Sequence, residues 1–112
     1  MIASIMIYRR LQNVYGIKKI KMSKEKIKEV SRKVYEMLSS KNDAYGNSAL
    51  EPINIFSKGS ATDSLCARID DKLARIKNRG LSDQTEDTLF DLCGYLILLI
   101  IAKENKNERK DI

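Results

Sequence analysis

The clearest pattern of hydrophobic and polar positions lies between residues 62 and 102, where two helical stretches flank a polar turn. In the first stretch, apolar residues recur every three or four positions, which is the spacing of one buried helix face. These residues are Leu65, Ile69, Leu73 and Ile76. The second stretch is polar at its start and almost wholly apolar from Leu92 onward. The pattern predicts an antiparallel helical hairpin at the centre of the fold.

The predicted turn between these helices covers residues 78–81. Gly80 suits the left-handed conformation that often ends a helix, because glycine has no side chain to oppose it. Ser82 or Asp83 suits the cap that begins the next helix, because a short polar side chain can accept a free backbone N–H. We therefore expect the second helix to begin at residue 82 or 83.

The rest of the chain is predicted to add one more helix and a long connection. Ser23 is expected to cap a helix that runs to about Ser40. Residues 39–61 are expected to be non-helical, because Pro52 and several turn formers interrupt them, with a short helix in residues 48–56 as an alternative. Since this connection carries apolar side chains, it is expected to pack over the hairpin. The expected fold is all-α, a small helical bundle built on the hairpin and completed by oligomerisation.

The chain has 112 residues, enough for one modest core. Its formal net charge is +6, and five of these charges lie in residues 1–22, which contain no acid. We predict a basic N-terminal extension (residues 1–22), one domain (residues 23–102) and a charged tail (residues 103–112). Met22 is an alternative start of translation, and the extension is alternatively a membrane-surface or nucleic-acid arm. The nearly neutral domain itself is not expected to bind nucleic acid.

Several classes of protein are disfavoured by composition. The longest apolar run, residues 95–102, has eight residues, whereas roughly 20 are needed to cross a bilayer, so no membrane partner is expected. Two cysteines without a histidine disfavour a structural zinc site and a histidine-dependent triad. Cys66 and Cys93 lie among apolar residues and are expected to be buried and reduced, with a disulfide as the alternative.

Charged side chains of the two hairpin helices are expected to converge. If the turn centres near residue 80, the numbers of facing residues add up to roughly 160. Asp71 then faces residues 87–91, and Arg75 faces residues 85–87. Carboxylates on neighbouring helices can share Mg²⁺, while Arg and Lys suit phosphate oxygens. The predicted metal ligands are Asp71, Asp87, Asp91 and Glu86, and the predicted phosphate ligands are Arg68, Lys72 and Arg75. The alternative is an inter-helix salt-bridge ladder in which Asp71, Asp87 and Asp91 neutralise Arg68, Lys72 and Arg75.

Three blocks of the sequence resemble a known family. They read K-N-D-A-Y-G-N at residues 41–47, A-R-I-D-D-K-L-A-R-I at residues 67–76 and E-D-T-L-F-D-L-C-G-Y-L at residues 86–96. In order and spacing they resemble the nucleotide-modification-associated domain family of phages and prophages, over roughly residues 39–101. The resemblance implies a nucleotide ligand, a role in the metabolism of modified bases and a location in the cytoplasm of a bacterial host.

A more distant similarity is to the all-α nucleoside triphosphate pyrophosphohydrolases, which hold Mg²⁺ with an ExxE pair on one helix and an ExxD pair on the next. This chain offers Asp70 and Asp71 on the first helix, without a second acid one turn further on. The second helix offers Asp87 and Asp91. The incomplete acidic set disfavours hydrolysis, and the added Arg and Lys favour phosphate binding.

Three functions stay open at this level. One is a nucleotide-binding domain that uses Mg²⁺ and Arg/Lys and hydrolyses a triphosphate if it is catalytic. Another is a non-catalytic binder of a nucleotide or nucleotide-derived signal, and the third is a structural interaction module. In the first two, a loop closes over the base or sugar, and its residues are Lys41, Asp43, Tyr45, Gly46 and Asn47. A homo-oligomer is expected under all three, because the second hairpin helix has more apolar surface than one short helix covers.

Overall fold

A computed structural model describes the backbone of residues 2–110 and the side chains of residues 3–107. Within this part of the chain the fold is all-α, with three helices and no strand, which confirms the predicted fold class. The helices are α1 (Ile2–Ala44), α2 (Ala61–Arg79) and α3 (Thr88–Lys110). Met1 of the predicted extension and residues 111–112 of the predicted tail lie outside the described residues. No described helix is both long and apolar enough to cross a membrane.

Helix α1 begins within the predicted extension and continues past Ser23, so the prediction of a helix start at Ser23 is wrong. The Ser23 hydroxyl donates instead to the Lys19 carbonyl oxygen, one turn earlier (3.0 Å). Residues 17–44 contain neither glycine nor proline. Because nothing in them breaks a helix, a serine that is able to cap is accommodated in the helix interior.

The structure divides into two compact units, Met1–Lys33 and Val34–Ile112. The first unit is helical, and none of its described side chains is buried. Its contacts include the hydrogen bond from Gln12 to the Tyr8 hydroxyl and the ion pair between Lys33 and Glu29. Exposed pairs one turn apart contribute only a few tenths of a kcal/mol each. This unit therefore has no hydrophobic core among its described residues.

The second unit holds the core, which centres on Leu65 of α2 and Leu98 and Ala102 of α3. Leu65 is fully buried. Partly buried apolar residues from α1, the connection and the other helices pack around these three. They are Leu38, Ala49, Leu50, Ala61, Tyr95 and Leu99. The core is small, and it ties the end of α1 and the connection to α2 and α3.

The buried face of α2 is narrower than predicted. Leu65 is buried and Ile69 and Ile76 are half-buried, but Leu73 is 50% exposed. The side chain of Ser60 caps α2 by accepting the Asp63 N–H (3.2 Å). Helix α2 ends at Arg79, and the capping residue that follows it is Gly80, whose φ is 78°, so the predicted role of Gly80 at the helix end is confirmed.

Helix α3 begins at Thr88, so the predicted start at residue 82 or 83 is wrong. Asp87 is the cap, because its carboxylate accepts the Phe90 N–H (3.3 Å) and its carbonyl accepts the Asp91 N–H (3.1 Å). Residues 80–87 form a loop instead of a tight turn. At the other end, residues 103–110 of the predicted tail belong to α3.

Residues 45–60 connect α1 and α2 and contain turns and bends but no helix, so the short helix considered for residues 48–56 does not form. Leu50 packs against the core, as expected for a connection that covers the helices. Ile53, Ile55 and Phe56 are exposed instead. The connection therefore covers the core through its first half only.

Both cysteines are free and exposed, so the prediction that they are buried is wrong. Cys66 is adjacent to Leu65 in the sequence, and it lies off the buried face because neighbouring helix residues are about 100° apart. On α3, Asp91 is half-buried and Gly94 is buried, so this side of the helix faces the rest of the second unit. Cys93 lies on the opposite, exposed side. Apolar residues adjoin both cysteines in the sequence, but burial depends on the rotation of each helix.

Candidate functional site

A cleft of about 470 Å³ opens beside the core of the second unit. The end of α1, the connection, α2 and α3 all contribute to its walls. Its polar lining consists of Ser40, Lys41, Asn42, Tyr45, Ser48, Arg68, Asp91 and Tyr95. Its remaining lining is formed by Met37, Leu38, Ala44, Ala49, Gly94 and Leu98. Mixed apolar and polar walls and this volume are typical of small-molecule sites.

Arg68 of α2 and Tyr95 of α3 meet at this cleft. The guanidinium carbon of Arg68 lies 5.9 Å from the centre of the Tyr95 ring, within the range of a cation–π interaction. Arg68 is exposed and Tyr95 is half-buried. No carboxylate pairs with Arg68 among the described side chains. The N–H donors of Arg68 are therefore available to an anionic ligand.

Gly94 allows the end of α1 to approach α3 along the apolar side of the cleft. A Cβ atom at this position would lie 3.3 Å from Leu38 Cδ1 and 3.5 Å from Met37 Cε. Gly94 is itself buried. A larger side chain here would occupy space between the two helices, next to Tyr95.

Three basic and three acidic side chains form an ion-pair network beside the cleft. Its members are Lys41, Lys72, Arg75, Asp83, Glu86 and Asp91. Lys72 Nζ lies 2.8 Å from Glu86 Oε1 and 3.1 Å from Asp91 Oδ2. Lys41 Nζ lies 2.7 Å from the second oxygen of Asp91, Oδ1. The network thereby joins α1, α2, α3 and the loop that precedes α3.

The shifts in pKa agree with this pairing. Burial opposes the charge of Lys72, but hydrogen bonds to Glu86 and Asp91 outweigh it and raise the pKa of Lys72. Burial also opposes the charge of Asp91, but hydrogen bonds from Lys41 and Lys72 lower its pKa overall. The hydrogen bond from Lys72 is the main cause of the lowered pKa of Glu86. These groups are therefore charged at neutral pH.

Arg75 anchors the loop before α3. Its Nε lies 2.6 Å from Asp83 Oδ2 and 3.2 Å from Glu86 Oε1, and its Nη2 donates to the Thr85 hydroxyl. Asp83 Oδ1 also accepts the Thr85 hydroxyl (2.6 Å) and the Thr85 N–H (2.9 Å). These hydrogen bonds hold the pKa of Asp83 far below its usual range, and the one from the Thr85 hydroxyl contributes most. Because Asp83 is engaged in this turn, it does not cap α3.

The predicted phosphate ligands fall into two groups. Arg68 lines the cleft, whereas Lys72 and Arg75 are paired with carboxylates in the ion-pair network. Arg75 contacts Thr85 and Glu86, as expected from the facing rule. Of the predicted salt-bridge ladder, only the pair between Lys72 and Asp91 is present among the described side chains. The acids that pair with Arg75 are Asp83 and Glu86, which the predicted ladder did not include.

The predicted metal ligands do not form one group. Lys72 lies between Glu86 and Asp91, Asp87 caps α3, and Asp71 is exposed. The residue of α2 that pairs with Asp91 is thus Lys72 and not the preceding residue, Asp71. Among the described side chains, no three acids, cysteines or histidines form a group that could hold a metal ion. Mg²⁺ binding gains no support from this arrangement and stays a prediction.

The predicted base or sugar loop lies at the end of α1. Lys41 and Tyr45 line the cleft, and Asp43 is exposed. Gly46 and Asn47 have φ values of 59° and 67°, the left-handed region that favours glycine and asparagine. The Asn47 N–H donates to the Asn42 carbonyl oxygen (3.1 Å) and closes a turn at the end of α1. This turn places Tyr45 beside the cleft.

Sequence reasoning did not select Asn42, Ser48 or Tyr95 as site residues, although all three line the cleft. Tyr95 was detectable in principle, because it lies one turn beyond Asp91 on the same face of α3. The pairing of Asp83 with Arg75 is not predicted by the sequence, because residue 83 is expected to cap or begin a helix. Comparison with protein-family models, curated proteins and solved structures finds no match for this chain. The resemblance of residues 39–101 to a phage family therefore stays a prediction.

Proposed function

We propose that this protein is a nucleotide-binding domain of phage or prophage type, acting in the metabolism of modified nucleotides in the cytoplasm of a bacterial host. The observation that carries the proposal is the convergence of Lys41, Arg68, Tyr45 and Tyr95 on one cleft. Two cations and two aromatic rings suit the two chemical parts of a nucleotide, its phosphates and its base. The resemblance of residues 39–101 supports the same ligand.

Arg68 is the proposed main phosphate ligand. Its guanidinium offers several N–H donors and has no carboxylate partner among the described side chains. Lys41 is the second cation, because its side chain is 54% exposed even though it pairs with Asp91. Phosphate oxygens at Arg68 then lie beside the Tyr95 ring. Tyr45, which is 71% exposed, is free to stack on the base.

Binding without turnover is the form of the proposal that this geometry favours. Glu86 and Asp91 are both engaged by Lys72, so neither is placed with further acids to hold a resident metal ion. Mg²⁺ enters the proposal only as the ion that accompanies the phosphates of a nucleotide. No catalytic residue is assigned. Sequestration of a nucleotide or a nucleotide-derived signal uses the same cleft and the same ligands.

A structural interaction module is the second candidate function. It is favoured by the charge balance of the ion-pair network, since three bases and three acids need no ligand to neutralise them. Helix α3 also exposes Leu89, Leu96, Ile97 and Ile100. Exposed apolar residues on one helix support the proposed homo-oligomer in either case, because association would remove them from water.

The test is a thermal-shift and product assay of the full chain with canonical and modified nucleotides, with and without Mg²⁺. A ligand at 100 times its dissociation constant adds about 2.7 kcal/mol to the free energy of unfolding. We expect a shift without release of pyrophosphate. Tyr45→Ala is expected to reduce the shift, whereas Tyr35→Ala is the matched control, because Tyr35 is 69% exposed and does not line the cleft. Absence of any shift across the panel would leave the structural module as the function.

A further inference from the structure

A second cavity adjoins the cleft. It has a volume of about 370 Å³ and is formed by residues 48 and 52–57 of the connection together with Ser64 and Arg68 of α2. Ile53, Ile55 and Phe56 supply its apolar surface. Each cavity alone falls within the range of a site for one small molecule.

The two cavities share Ser48 and Arg68 in their linings. Arg68 therefore stands between them, with the Tyr95 ring on the side of the first cavity. A planar guanidinium with several N–H donors can bind phosphate oxygens that approach from either side. Arg68 is therefore placed to bind the middle of a ligand that extends into both cavities.

The second cavity has an aromatic side chain of its own. Phe56 is 100% exposed, an unusual state for a large apolar residue. The turn that carries it is fixed locally, because the Asn54 side chain donates to the Gly59 carbonyl oxygen (3.2 Å). Asn54 itself has a φ of 49°, which is uncommon for a residue with a side chain. The turn therefore holds Phe56 at the surface, where its ring is accessible to a ligand.

We infer that the ligand is a two-part nucleotide, in which a central phosphate at Arg68 links one base in the first cavity to a second base in the cavity of Phe56. This inference rests on the proposed function and adds to it the class of ligand, a dinucleotide. A mononucleotide fills the first cavity and leaves Phe56 exposed. A dinucleotide covers Phe56 as well as the aromatic side chains of the first cavity, and stacking of its second base on Phe56 adds affinity.

The experiment is a calorimetric titration of the full chain with a mononucleotide and with the linear dinucleotide of the same base joined by one phosphodiester. It is repeated for each canonical and modified base of the thermal-shift panel. We expect the dinucleotide to bind about tenfold more tightly, because base–aromatic stacking contributes roughly this factor or more. Phe56→Ala is expected to remove the tenfold gain and to leave mononucleotide binding unchanged. The control is Leu81→Ala, which removes an exposed apolar side chain from the other loop.

The outcomes separate the inference from the function on which it rests. Mononucleotide binding without tighter dinucleotide binding overturns the two-part ligand and leaves the proposed function intact. The same holds if Phe56→Ala weakens both ligands equally. If neither ligand binds for any base, the proposed function is wrong, and the inference is overturned with it.

Discussion

The guanidinium carbon of Arg68 lies 5.9 Å from the centre of the Tyr95 ring, across the space between α2 and α3. The contact holds a cation at the wall of the cleft without neutralising it. A carboxylate at the position of Tyr95 would pair with Arg68 and compete with an anionic ligand. We therefore regard this pair as the centre of the candidate site.

Tyr95→Leu tests the role of the ring. Removing the aromatic face is expected to weaken nucleotide binding about fivefold, because a cation–π contact at a partly exposed site contributes about 1 kcal/mol. Tyr95→Phe keeps the face and is expected to bind as the unchanged protein does. Binding constants from calorimetry compare the variants, and equal affinity of the leucine and phenylalanine variants would contradict the assignment.

Lys72→Met separates a structural role from a ligand role. The change leaves Glu86 and Asp91 without the cation between them, and it is expected to lower the free energy of unfolding by about 1–2 kcal/mol. Nucleotide affinity is expected to stay unchanged, because Lys72 does not line the cleft. Urea denaturation and calorimetry measure the two effects, with exposed Lys77→Met as the control. A loss of affinity at unchanged stability would restore Lys72 as a phosphate ligand.

Stability is expected to fall in acid. The pKa values of Asp83, Glu86 and Asp91 are lowered in the folded protein, whereas carboxyls of an unfolded chain titrate near pH 4. Their contribution to the free energy of unfolding is therefore fully present above about pH 5 and is lost as the pH falls through the folded values. Urea midpoints between pH 7 and pH 2 measure it. Asp83→Asn is expected to flatten this dependence, and Asp71→Asn, an exposed acid outside the network, is not.

Cys66 and Cys93 are expected to react with a maleimide in the folded protein. Both thiols are free and exposed, so two equivalents of reagent are expected to add without denaturant. Mass spectrometry of the intact chain counts the additions. If the thiols react only after the protein unfolds, either α2 and α3 are rotated differently about their axes or association covers these helix faces.

The all-α fold and the cap at Gly80 follow from the sequence. Gly80 ends α2 as its conformational freedom indicates, and Leu65 is buried within the periodic apolar pattern. The rotation of α2 was less certain, because Cys66 and Leu65 are adjacent and both apolar. Only tertiary packing decides which of the two faces the core. For the same reason, Asp71 was predicted to face Asp91, whereas its neighbour Lys72 does so.

The start of α3 shows why local signals were insufficient. Asp83 and Asp87 are both able to cap a helix, and the sequence alone does not choose between them. Arg75 and Thr85 bind Asp83 and keep it in the loop, which leaves Asp87 as the cap. The cleft was only partly predictable for the same reason. Its walls come from four separate segments, so their meeting depends on long-range packing.

Binding of an anionic nucleotide at Arg68 is tested by calorimetric titration of the full chain and of its Arg68→Ala variant. Arg79→Ala is the matched control, because Arg79 is an exposed arginine at the end of α2, away from the cleft. We expect saturable binding to the unchanged protein and to Arg79→Ala, and affinity at least tenfold lower for Arg68→Ala. Equal binding by all three proteins, or binding by none, would contradict binding at Arg68.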